Sequence, residues 1–146
     1  MNTRTDTHTN LVKLCVGTDN VRQLETWQRS RFGSRGSNPE HVTRSHPRRA
    51  EEVLRGGSLY WVFRGRIMAR QRIIALESRK CSDGMTRCAI VLDPQIIRTF
   101  PASRQPFQGW RYLEAKDSPA DLPESRQDDD DIPPAVHDAL LEIGVI

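Results

Sequence analysis

At 146 residues, 36% hydrophobic and 28% charged, the chain fits one compact domain with its own core, and its apolar residues fall in blocks that exclude wholesale disorder. No apolar run nears the roughly 18 residues of a membrane-spanning helix, the first ten residues (MNTRTDTHTN) lack the apolar stretch of a secretory signal, and three cysteines make no disulfide framework; a soluble cytoplasmic protein is expected. The net charge of +3 conceals a segregation of sign, with 20 Lys and Arg against 9 Asp and Glu in residues 1–112 and 2 against 10 in residues 113–146.

Residues 1–9 read as a polar, disordered arm. Asn10–Gly17 is apolar, β-rich and ended by glycine, and reads as a strand. Thr18 or Asp19 can cap a helix running to about Arg29, with Val21, Leu24, Trp27 and Gln28 forming a narrow stripe around Trp27. Phe32–Glu40 is loop by its glycines, serines and proline. Pro47 opens a second helix carrying Ala50, Val53 and Leu54, which Gly56 and Gly57 stop.

Ser58–Phe63 (SLYWVF) is apolar on both faces, as a central strand is. Arg66–Leu76 alternates, placing Ile67, Ala69, Gln71 and Ile73 on a core face and Arg66, Met68, Arg70 and Arg72 on a basic one. Asp83-Gly84 signals a hairpin and Cys88–Leu92 its return. Ile96–Phe100 is a further short strand or a turn of helix, and Phe107–Leu113 a late strand. The acidic, Pro-rich stretch 114–131 is a linker or a surface-hugging loop, and residues 132–146 form a C-terminal helix packing on the 10–113 domain. Strands in runs with a few helices indicate an α+β domain built on a small mixed, β-barrel-like sheet.

The most informative stretch is Arg29–Arg72, where eleven arginines face three acids, with Tyr60, Trp61 and Phe63 inside it. Cations that replace condensed counterions, beside aromatic faces that stack unpaired bases, are what a nucleic-acid surface requires. Solvated arginines over a plain aromatic core would produce the same pattern. The residues chosen for phosphate contact are Arg44, Arg48 and Arg49 at the start of the second helix, with Arg64, Arg66, Arg70 and Arg72 on the strand face. Trp110, or Tyr60 if it faces outward, would stack a base. Free N–H groups at the second helix could hold an anion with Thr43, Ser45 and Arg48, or Ser45 or His46 could simply cap it.

No nucleophile or acid–base motif is present, and Cys81, Cys88, His41 and His46 lack the spacing of a zinc site, so no catalytic residue, metal or cofactor is assigned. An enzyme reading would call for a deep pocket placing His41 or His46 beside a carboxylate. The acidic C-terminal segment could fold onto the basic body and compete with an anionic ligand.

The blocks LVKLCVG (11–17), HVTR (41–44), GGSLYWVFRG (56–65), CAIVLDP (88–94) and FQGWRYL (107–113) resemble a family of short alphaproteobacterial proteins described as domain of unknown function 1489. The similarity runs from about residue 10 to 146, with Ser45-His46 standing where a Met is expected after the Thr-Arg pair. It implies a bacterial protein and carries over no catalytic residues. A helix ending in glycine, an aromatic strand and a strand resuming after Gly65 also resemble PUA-like domains (the ASCH and EVE groups), small mixed barrels that bind RNA or modified bases.

The leading expectation is therefore a small module binding RNA, DNA or a nucleotide through an arginine-rich face. The alternatives are a protein-interaction or adaptor module pairing basic body with acidic tail, and a small enzyme acting on an anionic substrate.

Overall fold

The structure, a computed structural model, describes residues 8–33 and 36–127. Of the arm expected at 1–9, residues 1–7 lie outside the described residues, as does the expected C-terminal helix, while Thr9 is buried and opens the first strand. Seven strands and two helices follow in the order β1 (Thr9–Leu14), α1 (Val21–Arg31), β2 (Glu40–Thr43), α2 (Ala50–Leu54), β3 (Ser58–Phe63), β4 (Arg66–Lys80), β5 (Thr86–Leu92), β6 (Ile97–Ser103) and β7 (Trp110–Glu114). All seven strands join one mixed sheet in the order β2-β5-β4-β3-β1-β7, with β6 also paired to β4. The fold is α+β.

β1 and β3 are parallel, joined by the α1–β2–α2 crossover, and every other pair is antiparallel. The fifteen-residue β4 organises the sheet: β3 takes one of its edges, while β6 and then β5 take the other. The sheet does not close, because β2 and β7 share no ladder. Two side chains bridge the gap: the Trp110 indole N–H donates to the Ser45 carbonyl (3.0 Å), and the Tyr112 hydroxyl accepts from the Arg49 amide (3.1 Å). The result is a barrel-like curl with a seam between its edge strands.

Leu11, Leu24, Leu59, Trp61, Ile73, Ile90 and their neighbours fill the interior, and Val12, Tyr60, Val62, Ile67 and Leu113 form a second cluster on the other face. Strict alternation along β4 is overturned at Met68. Trp61 pairs with Ala69 but Val62 with Ile67, so Met68 is the extra residue of a bulge. One inserted residue inverts the faces of everything before it. Arg66 therefore lies opposite Phe63, toward the interior side, and Ile67 joins the outer cluster, while Arg70 and Arg72 share the outer face with Tyr60 and Ser58. The expected single basic face does not exist.

Other boundaries moved for local reasons. Asn20, rather than Thr18 or Asp19, caps α1, its side chain accepting from the Gln23 amide at 2.9 Å. The buried stripe is Val21, Leu24 and Gln28, and Trp27 stands 48% exposed beside Phe32. β2 emerges from a stretch read as loop and helix lead-in. It has four residues and an irregular burial pattern, so it depends on pairing with β5. Ile97–Ser103 is a strand rather than helix, and the β4–β5 hairpin spans residues 81–85, with Asp83 accepting from the Met85 amide and Gly84 at φ +84°. Residues 118–122 lie against the sheet: the Phe100 amide donates to the Ala120 carbonyl, Leu122 is buried, and Asp121 bridges to Thr99.

Candidate nucleic-acid interface

The seam between the sheet ends holds a cavity of about 390 Å³, walled by the β2–α2 connection (Thr43–Arg48) and the first part of β7 with the loop before it (Gln108–Tyr112). β2 stops at Thr43, whose hydroxyl donates to the Ser45 carbonyl at 3.0 Å and turns the chain outward. Buried Pro47 anchors the turn, leaving Arg44, Ser45, His46 and Arg48 exposed. Across the cleft the Trp110 ring packs edge-on against Tyr112 at 5.0 Å. Arg111 braces its own loop, its Nη1 donating to the Gln108 and Trp110 carbonyls.

No carboxylate lines this cleft, and neither Arg44 nor Arg48 has an acidic partner among the described residues. Two guanidinium forks beside an indole can therefore meet an anion without displacing an internal ion pair.

Arg49, next in sequence, is built differently. Its guanidinium donates to Glu52 (2.8 Å), Glu114 (2.9 Å) and Thr9 (2.7 Å), and its charge lies 5.0 Å from the Tyr112 ring centroid. Those bonds raise its pKa and hold Glu52 down to about 2, with Arg49 the chief cause. Arg49 ties α2 to β1 and β7. α2 is one short turn with Arg49 at its N-cap and no side-chain cap bond, so neither Ser45 nor His46 caps it.

The other chosen arginines scatter. Arg64 sits at the β3–β4 turn with φ +50° and pairs with Asp19 at 3.2 Å. Arg66 begins β4, and Arg72 is exposed on the outer face. Arg70 is held by both Asp121 oxygens at 2.8 Å and by the Ser58 hydroxyl at 2.9 Å. Tyr60 is 6% exposed and packs in the outer cluster. The structure thus brings together Arg44, Arg48 and Trp110, and sets the remaining six chosen residues elsewhere.

A second cavity, of about 320 Å³, lies at the end of the interior and was missed by the sequence reading. Lys13 of β1, Cys15 just after it, His41 of β2, Trp61 of β3 and Trp27 of α1 line it. Its signal was period two: Lys13 and Cys15 continue the inward face of Leu11, but β1 was read only as an apolar run. His41 meets Trp61 edge to face at 5.6 Å, and burial, reinforced by nearby Lys13, lowers its pKa to about 4. Among the described residues, no carboxylate lines this cavity either, and none is set beside His41 there. No group of three or more His, Cys, Asp and Glu able to hold a metal occurs among the described residues, nor any helix long and apolar enough to cross a membrane.

Residues 11–146 match the model of a family described as "Protein of unknown function (DUF1489)". The chain belongs to this family. The match takes in both cavities and all nine chosen residues. No curated protein and no solved structure matches the chain, so the likeness to PUA-like domains stays a resemblance.

Proposed function

We propose that this family member is a small nucleic-acid- or nucleotide-binding module, and that the seam cleft receives phosphate. The observation that carries the reading is the convergence, in one cavity, of Arg44, Arg48 and Trp110, with neither an acidic partner for the two arginines nor a lining carboxylate among the described residues. Phosphate contacts of this kind position a strand, and an adjacent indole can stack a base. Glu52 and Glu114 are both held by Arg49, and neither lines the cleft.

The test is fluorescence anisotropy with labelled single- and double-stranded RNA and DNA at about 50 and 200 mM salt. Charge reversal at the cleft (Arg44→Glu with Arg48→Glu) is set against reversal at the β3–β4 turn (Arg64→Glu with Arg66→Glu). Loss of two phosphate contacts lowers the salt slope for a single strand by roughly 1.4. The cleft pair is expected to show that loss and the turn pair to bind as wild type. No binding by the wild-type chain at the lower salt, or equal loss in both variants, overturns the cleft assignment.

A further inference from the structure

The second cavity holds several groups that the fold leaves unused. Neither ring nitrogen of His41 has a hydrogen-bond partner among the described residues, and Lys13 has no carboxylate partner there. Trp61 is locked: its indole N–H donates to Gln71 Oε1 at 2.9 Å, which fixes the ring that His41 meets edge-on. Trp27, also in the lining, stands 48% exposed, a large apolar surface left open by the core. Among the polar groups, only the Cys15 thiol and Thr18 hydroxyl satisfy each other, at 2.7 Å.

Such a site suits a flat, uncharged ring with hydrogen-bonding edges. Indole walls supply stacking and edge contacts. An imidazole kept neutral at ordinary pH offers one donor and one acceptor, which matches the edge of a heterocycle and not an anion. The volume is at the small end of ligand sites, enough for one ring system and not for a peptide segment.

Position names the rest of the ligand. Lys13 of this cavity is the register partner of Trp110 in the arginine cleft, and His41 and Thr43 stand two residues apart on one face of β2, about 7 Å by strand geometry. The two cavities are neighbours along the same seam, one lined by aromatic rings and Lys13 and the other by arginines, with the Lys13–Trp110 pair between them. The geometry points to the Lys13–His41–Trp61–Trp27 cavity as the seat of a single nucleobase whose phosphate lies toward Arg44 and Arg48. This deepens the reading of the cleft and rests on it for the phosphate only. A base stacked within a duplex cannot reach the cavity, so the ligand is an unpaired base of a single strand, or a free nucleotide.

The chain has three tryptophans, two of them in this cavity and the third in the cleft, so emission from full-length Trp110→Phe protein reports on the cavity alone. Adenosine, guanosine, cytidine and uridine monophosphates are titrated in, with tripolyphosphate as the base-free probe and the uncharged nucleosides as the phosphate-free one. At least one monophosphate is expected to change the emission saturably, while tripolyphosphate displaces a labelled single strand without changing it. His41→Phe keeps an aromatic edge against Trp61 but removes the ring nitrogens, and should weaken that monophosphate about tenfold while sparing tripolyphosphate. Trp27→Ala, at an exposed helix position, is the second variant and should do the same even if the first fails to fold. A monophosphate that displaces the strand no better than inorganic phosphate and leaves the emission unchanged overturns the base site and leaves the phosphate cleft standing. Nucleoside-induced changes without tripolyphosphate binding keep the base site and remove the cleft. Free single strands binding no better than duplexes count against the base site.

Discussion

Gln28 of α1 and Gln71 of β4 clasp each other amide to amide, with Gln28 Nε2 donating to Gln71 Oε1 at 2.9 Å and Gln71 Nε2 returning the bond at 2.7 Å. Gln71 is fully buried, and it also donates to the Asp93 carbonyl and accepts from Trp61 Nε1. One side chain therefore holds α1, the end of β5 and the indole that walls the second cavity. Buried polar networks stay favourable only while every member is satisfied.

Gln71→Leu is expected to destabilise the fold by about 3 kcal/mol, because it strands the Gln28 amide and the Trp61 N–H in the interior. Urea denaturation measures the loss. Replacing both partners, Gln28→Leu with Gln71→Leu, should cost less than the sum of the two single changes.

His41 sets an acid limit on stability. Its pKa is lowered to about 4 by burial first and Lys13 second, against about 6.5 in an unfolded chain. Below pH 6.5 the unfolded chain takes up a proton that the folded chain refuses. The contribution of neutral His41 is therefore complete above pH 6.5 and lost as the pH falls toward 4, on the order of 3 kcal/mol in all. Glu52 and Asp83, both held down to about 2 by arginine partners, act in a separate window, their contribution being lost only as the pH falls from about 4 toward 2. Urea midpoints at pH 7, 5.5 and 4.5 should fall for the wild type and flatten for His41→Phe.

Arg48 and Arg49 are neighbours with opposite duties. Arg49→Lys, which cannot keep the forks to Glu52 and Glu114 together, should lower stability by about 1–2 kcal/mol while changing nucleic-acid affinity less than twofold in the folded protein. Arg48→Ala should do the reverse, leaving the thermal midpoint unchanged and weakening binding. Paired melting and anisotropy measurements would show the crossover, and loss of both properties in both variants would contradict it.

Gly57 lies where α2 passes β1. A methyl group there would stand 2.3 Å from the Thr9 carbonyl oxygen and 2.5 Å from that of Val53, both backbone atoms. Gly57→Ala is expected to cost about 3 kcal/mol or more, read as a lower thermal midpoint. Gly84→Ala, at a hairpin tip where an added methyl group would meet nothing within 4 Å, should cost less, through its positive φ alone.

Where residues carry their own instruction, structure was legible in the chain. The apolar block Ser58–Phe63 is a fully buried strand, the Asp83-Gly84 pair turns a hairpin, and Gly56-Gly57 ends α2. Arg44, Arg48 and Trp110 could be named in advance because charge and aromaticity are properties of the residue. Their meeting could not: β2 lacks an apolar pattern and exists by pairing with β5, and the seam exists because the sheet curls until Trp110 reaches Ser45. The split of the strand arginines turned on one residue, Met68, since a bulge inverts every face before it without marking the composition. In sequence His41 can be weighed only against a zinc set or an acid–base pair, and nothing there links it to Lys13. The sequence by itself determined most of the elements and the stretch of chain in which the basic residues gather, because propensity, turn chemistry and charge act locally. Which arginines stand free and which are consumed in ion pairs, and that an aromatic-walled cavity adjoins the arginine cleft, was decided by register and curl, which bring residues from β1, β2, β3 and β7 to one seam.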